Sequence, residues 1–270
     1  MAQRLRPNPF FDQLEAEHRA WLAEFDPRYL RKWEILVAGD EEAAFAEVRV
    51  RQLLQSNGVN VQPNENLDDN SRKPDFRCSS GSSKFYVEIT CIPVEIATAE
   101  TGIPNGPHGA INCRPLTDAI FSKCRGKASQ CANLDAPALV AIGTFHSNAA
   151  MFSFKKPLMN WVLTGEAKIA WDIDVTTGGQ VGEAYQITEL ESAAFLRPDK
   201  TQEVGYARSS ISGLLLCGLA LERHPVMGVL HPNPARPFDP ILLSQVEFGQ
   251  VTIDRSTRQL HVTWSQGDDE

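Results

Sequence analysis

The segment that most constrains the fold is Arg72–Thr90, which reads RKPDFRCSSGSSKFYVEIT. Two short apolar runs flank a turn of serine and glycine, a pattern typical of a β-hairpin. Because side chains alternate along a strand, Val87 and Ile89 should face one side of a sheet and Glu88 the other. Glu88 is then either an acid facing water at an edge or an acid held at the surface of the sheet.

A second acid stands at the start of the same hairpin. Asp75 follows Pro74 and lies 13 positions before Glu88, so neighbouring strand ends can bring the two carboxylates together. Two carboxylates at one point repel and desolvate each other unless a cation lies between them. Ligand sets made only of oxygen suit Mg²⁺ or Mn²⁺. The hairpin therefore predicts a metal site, and the alternative is an ordinary hairpin with two solvated acids.

The sequence of this segment resembles the motif of the PD-(D/E)XK nuclease superfamily, which has the restriction-endonuclease-like fold. The matching residues are Pro74-Asp75-Phe76 and, after the hairpin, Val87-Glu88-Ile89-Thr90. Thr90 stands where the family usually has a lysine. The resemblance implies hydrolysis of phosphodiester bonds and a divalent metal held by Asp75, Glu88 and the backbone carbonyl of Ile89.

A helix is expected after Gly39-Asp40, where AAFAEVRVRQLLQSN runs to a stop at Gly58. Glu47 lies on the same face of this helix as the apolar Val50 and Leu54, given their three- and four-residue spacing. The first core helix of the superfamily often carries a glutamate in this arrangement, which implies that Glu47 binds a second metal or positions water. The alternative is a surface acid that pairs with Arg51, four residues on.

Lys127 is the candidate for the missing lysine. The segment LTDAIFSKCRGKASQCA predicts a helix whose buried face carries apolar residues at helical spacing, and Lys127 projects inside that apolar arc. Burying an unpaired ammonium is costly, so such a lysine needs a partner or must snorkel to the surface. Some superfamily members carry the lysine on this helix with a glutamine three residues later, and Lys127 with Gln130 resembles them. Lys123 is the second choice.

The remaining pattern predicts one α/β domain with a mixed central β-sheet flanked by helices, a restriction-endonuclease-like core. Residues 1–38 are expected to form an N-terminal helical extension, and residues 39–265 the nuclease-like domain. Segment 91–115, rich in proline, glycine and asparagine, predicts a long loop. Further strands are predicted at Pro137–Phe145, Ile211–Leu219 and Val226–Leu230, with a terminal hairpin within 245–264.

Composition limits the class of protein. The chain has 270 residues and a net charge of −8, which counts against nucleic-acid binding through overall charge but not through a local basic patch. Candidate patches are Arg4–Arg6, Arg72–Lys73 and Lys123–Lys127. Six cysteines without a CxxC pair predict buried, reduced thiols rather than a zinc site. Without a membrane-length apolar run or a signal-peptide core, the sequence predicts a cytoplasmic protein with no membrane partner.

The sequence therefore predicts a nuclease dependent on Mg²⁺ or Mn²⁺, acting on nucleic acid with DNA favoured over RNA, and leaves a homodimer open. Its predicted catalytic residues are Asp75, Glu88, Lys127 and Glu47. Thr90 and the pI of about 5.3 favour an alternative, an inactive nuclease-like fold that binds nucleic acid or protein. A third interpretation, a small-molecule enzyme built around His108 and the glycine-rich segment 178–182, has less support.

Overall fold

An eight-stranded mixed sheet lies at the centre of the chain, with helices on its faces. The computed structural model describes residues 5, 8–68, 73–105, 116–198, 200, 203–220, 225–254 and 259–265. The helices are α1 Pro9–Leu22, α2 Pro27–Gly39, α3 Glu41–Ser56, α4 Val94–Thr101, α5 Thr117–Lys127, α6 Ser147–Ser153 and α7 Lys156–Thr164. The strands are β1 Asn60–Pro63, β2 Phe76–Ser80, β3 Ser83–Cys91, β4 Ala138–Thr144, β5 Glu166–Ile173, β6 Gln180–Glu189, β7 Leu196–Pro198, β8 Val204–Tyr206, β9 Gly213–Gly218, β10 Val226–Leu230, β11 Glu247–Asp254 and β12 Gln259–Trp264.

The strand order of the central sheet is β1-β2-β3-β4-β9-β10-β11-β12. The first three strands form an antiparallel meander, whereas β3, β4 and β9 are parallel neighbours. Beyond them β10 runs antiparallel to β9, β11 parallel to β10, and β12 antiparallel to β11. The predicted α/β class with a mixed central sheet is confirmed. Strand β4 is buried along its whole length, as its continuous apolar run predicted.

The side chains of β3 alternate between two apolar cores. Val87 and Ile89 belong to the core that the sheet shares with α1, α2 and α3. Tyr86 belongs to the core on the other face, which α5 and α7 cover. Glu88 is therefore an acid inside a central strand, and α5 is the helix nearest to it on that face.

Within the predicted N-terminal helical extension, the structure shows two helices, each capped by a side chain ahead of a proline. Asn8 caps α1 by accepting a hydrogen bond from the Phe10 amide, and Asp26 caps α2 by accepting one from the Arg28 amide. Both helices pack on α3 and on the start of β2. The ring of Phe11 meets that of Phe45 at 5.2 Å between centroids, so residues 9–39 share the core of α3.

The predicted long loop at 91–115 is wrong in its first half, where α4 forms instead. The amide of Val94 in its first turn donates to the carboxylate of Glu42 at 2.9 Å, so a partner 52 residues away satisfies a group that a helix end leaves free. Residues 106–115, with His108, lie outside the described residues. The helix predicted around Lys127 ends at that residue, earlier than expected.

Two other sequence features take ordinary structural roles. The glycine-rich segment lies at the turn of the β5–β6 hairpin, where Gly178 and Gly182 have positive φ angles. Five cysteines are free and buried, and Cys113 lies outside the described residues. In the part of the chain that the structure describes, no helix combines the length and apolar character needed to cross a bilayer.

Candidate metal centre

Asp75 is held at the start of β2 by the antiparallel meander. The amide of Asn64 donates to the carbonyl of Asp75 at 2.8 Å, and the side chain of Asn64 donates to the carbonyl of Pro74 at 2.9 Å. The Asp75 carboxylate reaches across to β3 and accepts a hydrogen bond from the Ile89 amide at 2.6 Å. Strand pairing therefore places this carboxylate beside the middle of β3.

Glu88 lies in β3 with 1% of its surface exposed and pairs with Lys127, the last residue of α5. The Nζ atom of Lys127 is 2.5 Å from Glu88 Oε1, and the lysine side chain is 26% exposed. The second oxygen, Oε2, is buried and has no hydrogen-bond partner within the described residues. Glu88 thus gives one oxygen to Lys127 and keeps the other unpaired.

Lys123 lies one turn of α5 earlier and acts on a different group. Burial raises the pKa of the Cys91 thiol, and the positive charge of Lys123 works in the opposite direction. Of the two predicted lysines, Lys127 is the one that contacts Glu88. Thr90, where the family has its usual lysine, is half-buried at the end of β3.

A third and a fourth carboxylate join the cluster from α3 and from the loop after β1. Ligand oxygens of Glu47, Glu65 and Asp75 lie within 4.8 Å of one another. These three acids form one group, and the hydrogen bond from the Ile89 amide to Asp75 places the group beside Glu88 and its partner Lys127. Sequence reasoning missed Glu65. The signal that points to it is strand pairing: Pro63 pairs with Phe76, so residues just after β1 lie beside those just before β2.

The pKa values of Glu47, Asp75 and Glu88 are all raised. Burial of the carboxylates is the largest cause at Glu47 and at Asp75, although both residues are half-buried as a whole, and the neighbouring acids add to it. Burial also raises the pKa of Glu88, while Lys127 acts to lower it. Ionising this group of acids is therefore costly unless positive charge enters the cluster.

Two lysines supply part of that charge. The Nζ atom of Lys32, on α2, is 2.6 Å from Glu65 Oε2, and Lys127 pairs with Glu88. Four carboxylates facing two ammonium groups leave two negative charges when all are ionised, which equals the charge of one divalent cation. The donors are all oxygen, and one buried Glu88 oxygen has no partner, so the residues fit Mg²⁺ or Mn²⁺. The Ile89 carbonyl as a further ligand stays a prediction.

Two cavities open beside the cluster. One of about 250 Å³ lies between α1, α2 and the carboxylates of Glu47, Glu65 and Asp75. The other, of about 350 Å³, is polar and includes Lys73 and Arg77 in its walls. Lys73 belongs to one of the predicted basic patches, and Asp26, Glu65 and Asp68 line the same cavity, so its walls carry both signs of charge. Arg4 and Arg6 of the predicted N-terminal patch, and Arg72, lie outside the described residues.

Compared with protein-family models, curated proteins and solved structures, the chain matches none of them. The chemistry of the site is therefore inferred from its own geometry and charge.

Proposed function

We propose that this chain is a divalent-metal-dependent nuclease that hydrolyses phosphodiester bonds, with DNA as the favoured substrate and the cytoplasm as its compartment. One observation carries the proposal: the ammonium of Lys127 meets the buried carboxylate of Glu88 at 2.5 Å, within a group of four acids. A lysine beside metal-binding carboxylates is the set of charges that phosphodiester hydrolysis requires. The lysine absent at Thr90 is supplied by α5 instead.

Each residue has a distinct role in this proposal. Asp75 and Glu88 would hold the cation together with the Ile89 carbonyl, and Glu47 would hold a second cation or position water. A bound Mg²⁺ or Mn²⁺ would supply Lewis-acid stabilisation of negative charge at the phosphate. Lys127 would orient the attacking water and stabilise the charge that develops on the phosphoryl oxygens. Because Lys127 occupies only one Glu88 oxygen, the other is free for the cation.

The same ion pairs favour a second candidate, an inactive nuclease-like fold that binds nucleic acid or protein. Lys127 and Lys32 neutralise two of the four acids without any metal, and Thr90 adds no positive charge. In this candidate Lys127 is a structural partner of Glu88. Metal binding and cleavage separate the two candidates.

The test is a cleavage assay on single-stranded DNA, duplex DNA and RNA with Mg²⁺, Mn²⁺ or EDTA, together with Mn²⁺ titration. The variants are Asp75→Asn and Lys127→Met, and Lys84→Met is the matched control because Lys84 pairs with Asp135 at the surface, away from the cluster. We expect Asp75→Asn to lose metal affinity and cleavage. Lys127→Met should bind metal and cleave roughly 10²-fold more slowly, and Lys84→Met should match wild type.

Full cleavage by Lys127→Met, or cleavage that persists in EDTA, would contradict the proposed mechanism. Mn²⁺ binding by wild type with no cleavage of any nucleic acid would favour the inactive fold.

A further inference from the structure

A buried histidine in the wall of the 250 Å³ cavity has no part in the proposed chemistry. His18, on α1, is 1% exposed, and its Nδ1 atom accepts a hydrogen bond from Arg51 Nε at 3.1 Å. An arginine Nε always carries its proton, so Nδ1 is the bare nitrogen and Nε2 carries the hydrogen. Within the described residues no group accepts a hydrogen bond from Nε2. His18 lines the cavity, so this donor is available to water or to an occupant there.

The same histidine stays neutral at neutral pH. Burial, and then the charge of Arg51, lower the pKa of His18 to about 3. The ring therefore offers one donor and no positive charge. A partner for it needs a hydrogen-bond acceptor and does not need to be an anion.

Aromatic and aliphatic side chains of α2 line the cavity next to His18. Trp33 is fixed in place because its Nε1 donates to the Ala44 carbonyl at 3.2 Å, and its ring lies 4.8 Å from the His18 ring between centroids. Tyr29 and Leu36 line the same cavity. Since the indole nitrogen is already engaged, Trp33 presents only apolar surface. These walls suit a flat occupant with an apolar face and an acceptor on its edge.

The acids beside the cavity indicate which chemical group the occupant is attached to. Glu47, Glu65 and Asp75 line the same cavity, so a group held there lies next to the proposed metal site. A nucleobase has an aromatic face and ring or carbonyl acceptors at its edge, and one sugar separates it from a phosphate. A volume of about 250 Å³ is below the roughly 300–1,000 Å³ of pockets for drug-sized ligands, which suits a single base and not a base pair.

We infer that this cavity binds one unpaired nucleobase of the nucleotide next to the scissile phosphate, so that the substrate is single-stranded or has a base that leaves the duplex. The inference rests on the proposed function and adds the class of substrate to it. A base stacked and paired within a helix has to leave the stack to enter such a pocket. The polar cavity, which shares Tyr29 and Glu65 with this one, gives the neighbouring nucleotides a path past Lys73 and Arg77.

The test measures binding of short DNA to the full chain by fluorescence anisotropy in Ca²⁺, which holds the acid site without supporting turnover. The probes are a single strand, the matching duplex, and a set of single strands in which one abasic residue is moved along the sequence. Wild type should bind the single strand roughly tenfold more tightly than the duplex, the scale of one base–aromatic contact. One abasic position should lower affinity by a similar factor.

A filled cavity provides the second measurement. Leu36→Trp places a large ring in the wall, and Ile241→Trp is the control because Ile241 is 70% exposed on a turn before β11 and does not line the cavity. We expect Leu36→Trp to bind the single strand roughly tenfold more weakly and to lose its response to the abasic position. Its Mn²⁺ affinity should equal that of Ile241→Trp.

Equal binding of intact and abasic strands by wild type would overturn the inference even if Leu36→Trp failed to fold. Equal binding by folded Leu36→Trp and by Ile241→Trp would also overturn it. If wild type binds Mn²⁺ and cleaves DNA with no dependence on an unpaired base, the inference fails and the proposed function stands. If wild type neither binds Mn²⁺ nor cleaves, the proposed function fails, and this inference fails with it.

Discussion

Replacing Lys127 by methionine removes an ammonium and leaves a side chain of similar length in place. The ammonium lies 2.5 Å from Glu88 Oε1, and Glu88 is 1% exposed. Its other oxygen has no hydrogen-bond partner within the described residues. Lys127→Met therefore leaves a buried carboxylate without its ion-pair partner, and we expect a large loss of stability in the metal-free protein.

The expected loss follows from the burial of the pair. Removing one partner of a buried ion pair costs about 3–5 kcal/mol. Lys127 is 26% exposed, so part of the interaction is screened by solvent and the lower end, about 3 kcal/mol, applies. For a chain of this size that is a fall in melting temperature of roughly 6–12 °C, at about 2–4 °C per kcal/mol.

The loss should depend on pH in a defined direction. Burial raises the pKa of Glu88 and Lys127 acts to lower it, so removing Lys127 raises that pKa further. Below about pH 4 the carboxyl is protonated in both the folded and the unfolded chain, and the pair contributes nothing. As pH rises above about 4, the carboxyl ionises in the unfolded chain while the buried carboxyl of the variant keeps its proton, so the variant loses stability until pH passes the folded pKa. The destabilisation should therefore be small near pH 4 and larger at pH 8.

Urea unfolding in EDTA at pH 5 and pH 8 measures this effect in wild type, Lys127→Met, Glu88→Gln and the double variant. The double variant should lie closer to wild type than Lys127→Met does, because both charges are gone. Mn²⁺ at 100 times its dissociation constant should return about 2.7 kcal/mol to Lys127→Met. A loss below about 1 kcal/mol at pH 8, the range of exposed pairs, would show that solvent screens this pair and would refute the reasoning.

Three further outcomes are expected. Asp75→Asn should raise the melting temperature of the metal-free protein at pH 8 and not near pH 4, because the pKa of Asp75 is raised by burial and then by Glu88; an unchanged melting temperature at pH 8 would contradict this. The affinity of wild type for Mn²⁺ should rise between pH 5 and pH 8, because carboxyls with a raised pKa must lose their protons to bind metal. Calorimetry in two buffers of different ionisation enthalpy should show this proton release. Lys123→Ala and Thr90→Ala should cleave DNA at close to the wild-type rate, whereas loss of cleavage in Lys123→Ala would transfer the proposed role from Lys127.

The sequence could predict the parts of the fold that depend on neighbouring residues. Prediction of the β2–β3 hairpin depended only on a turn at Gly81, whose φ is +56°, and on the alternation of side chains along β3. The spacing of apolar residues along α5 predicted which face of the helix packs on the sheet, and Lys127 lies on that face. The start of α2 could be read from Asp26-Pro27, a capping side chain ahead of proline. In each case the deciding interactions lie within one element or one turn.

What could not be predicted depends on contacts between distant segments. α4 forms where a loop was expected because Glu42 satisfies its first turn across 52 residues, and nothing within 91–105 shows this partner. Glu65 enters the site through the pairing of β1 with β2, whereas Asp68 in the same loop pairs with Arg28. Lys32 reaches Glu65 only because α2 packs against α3. The sequence pattern shows which residue types are candidates for the site. The packing of distant segments then decides which of those residues enter it.

The role of the N-terminal helices follows from the charge of the site. The sequence placed a boundary between residues 38 and 39, which separates Lys32 from the acids, yet the Lys32 ammonium lies 2.6 Å from Glu65. Four carboxylates in one cluster need positive charge nearby, and α2 supplies one of the two lysines that provide it. The same helix contributes Tyr29 and Trp33 to the cavity beside the acids. A segment that both neutralises the acids and shapes the adjoining cavity belongs to the proposed site, whether or not residues 39–265 fold without it.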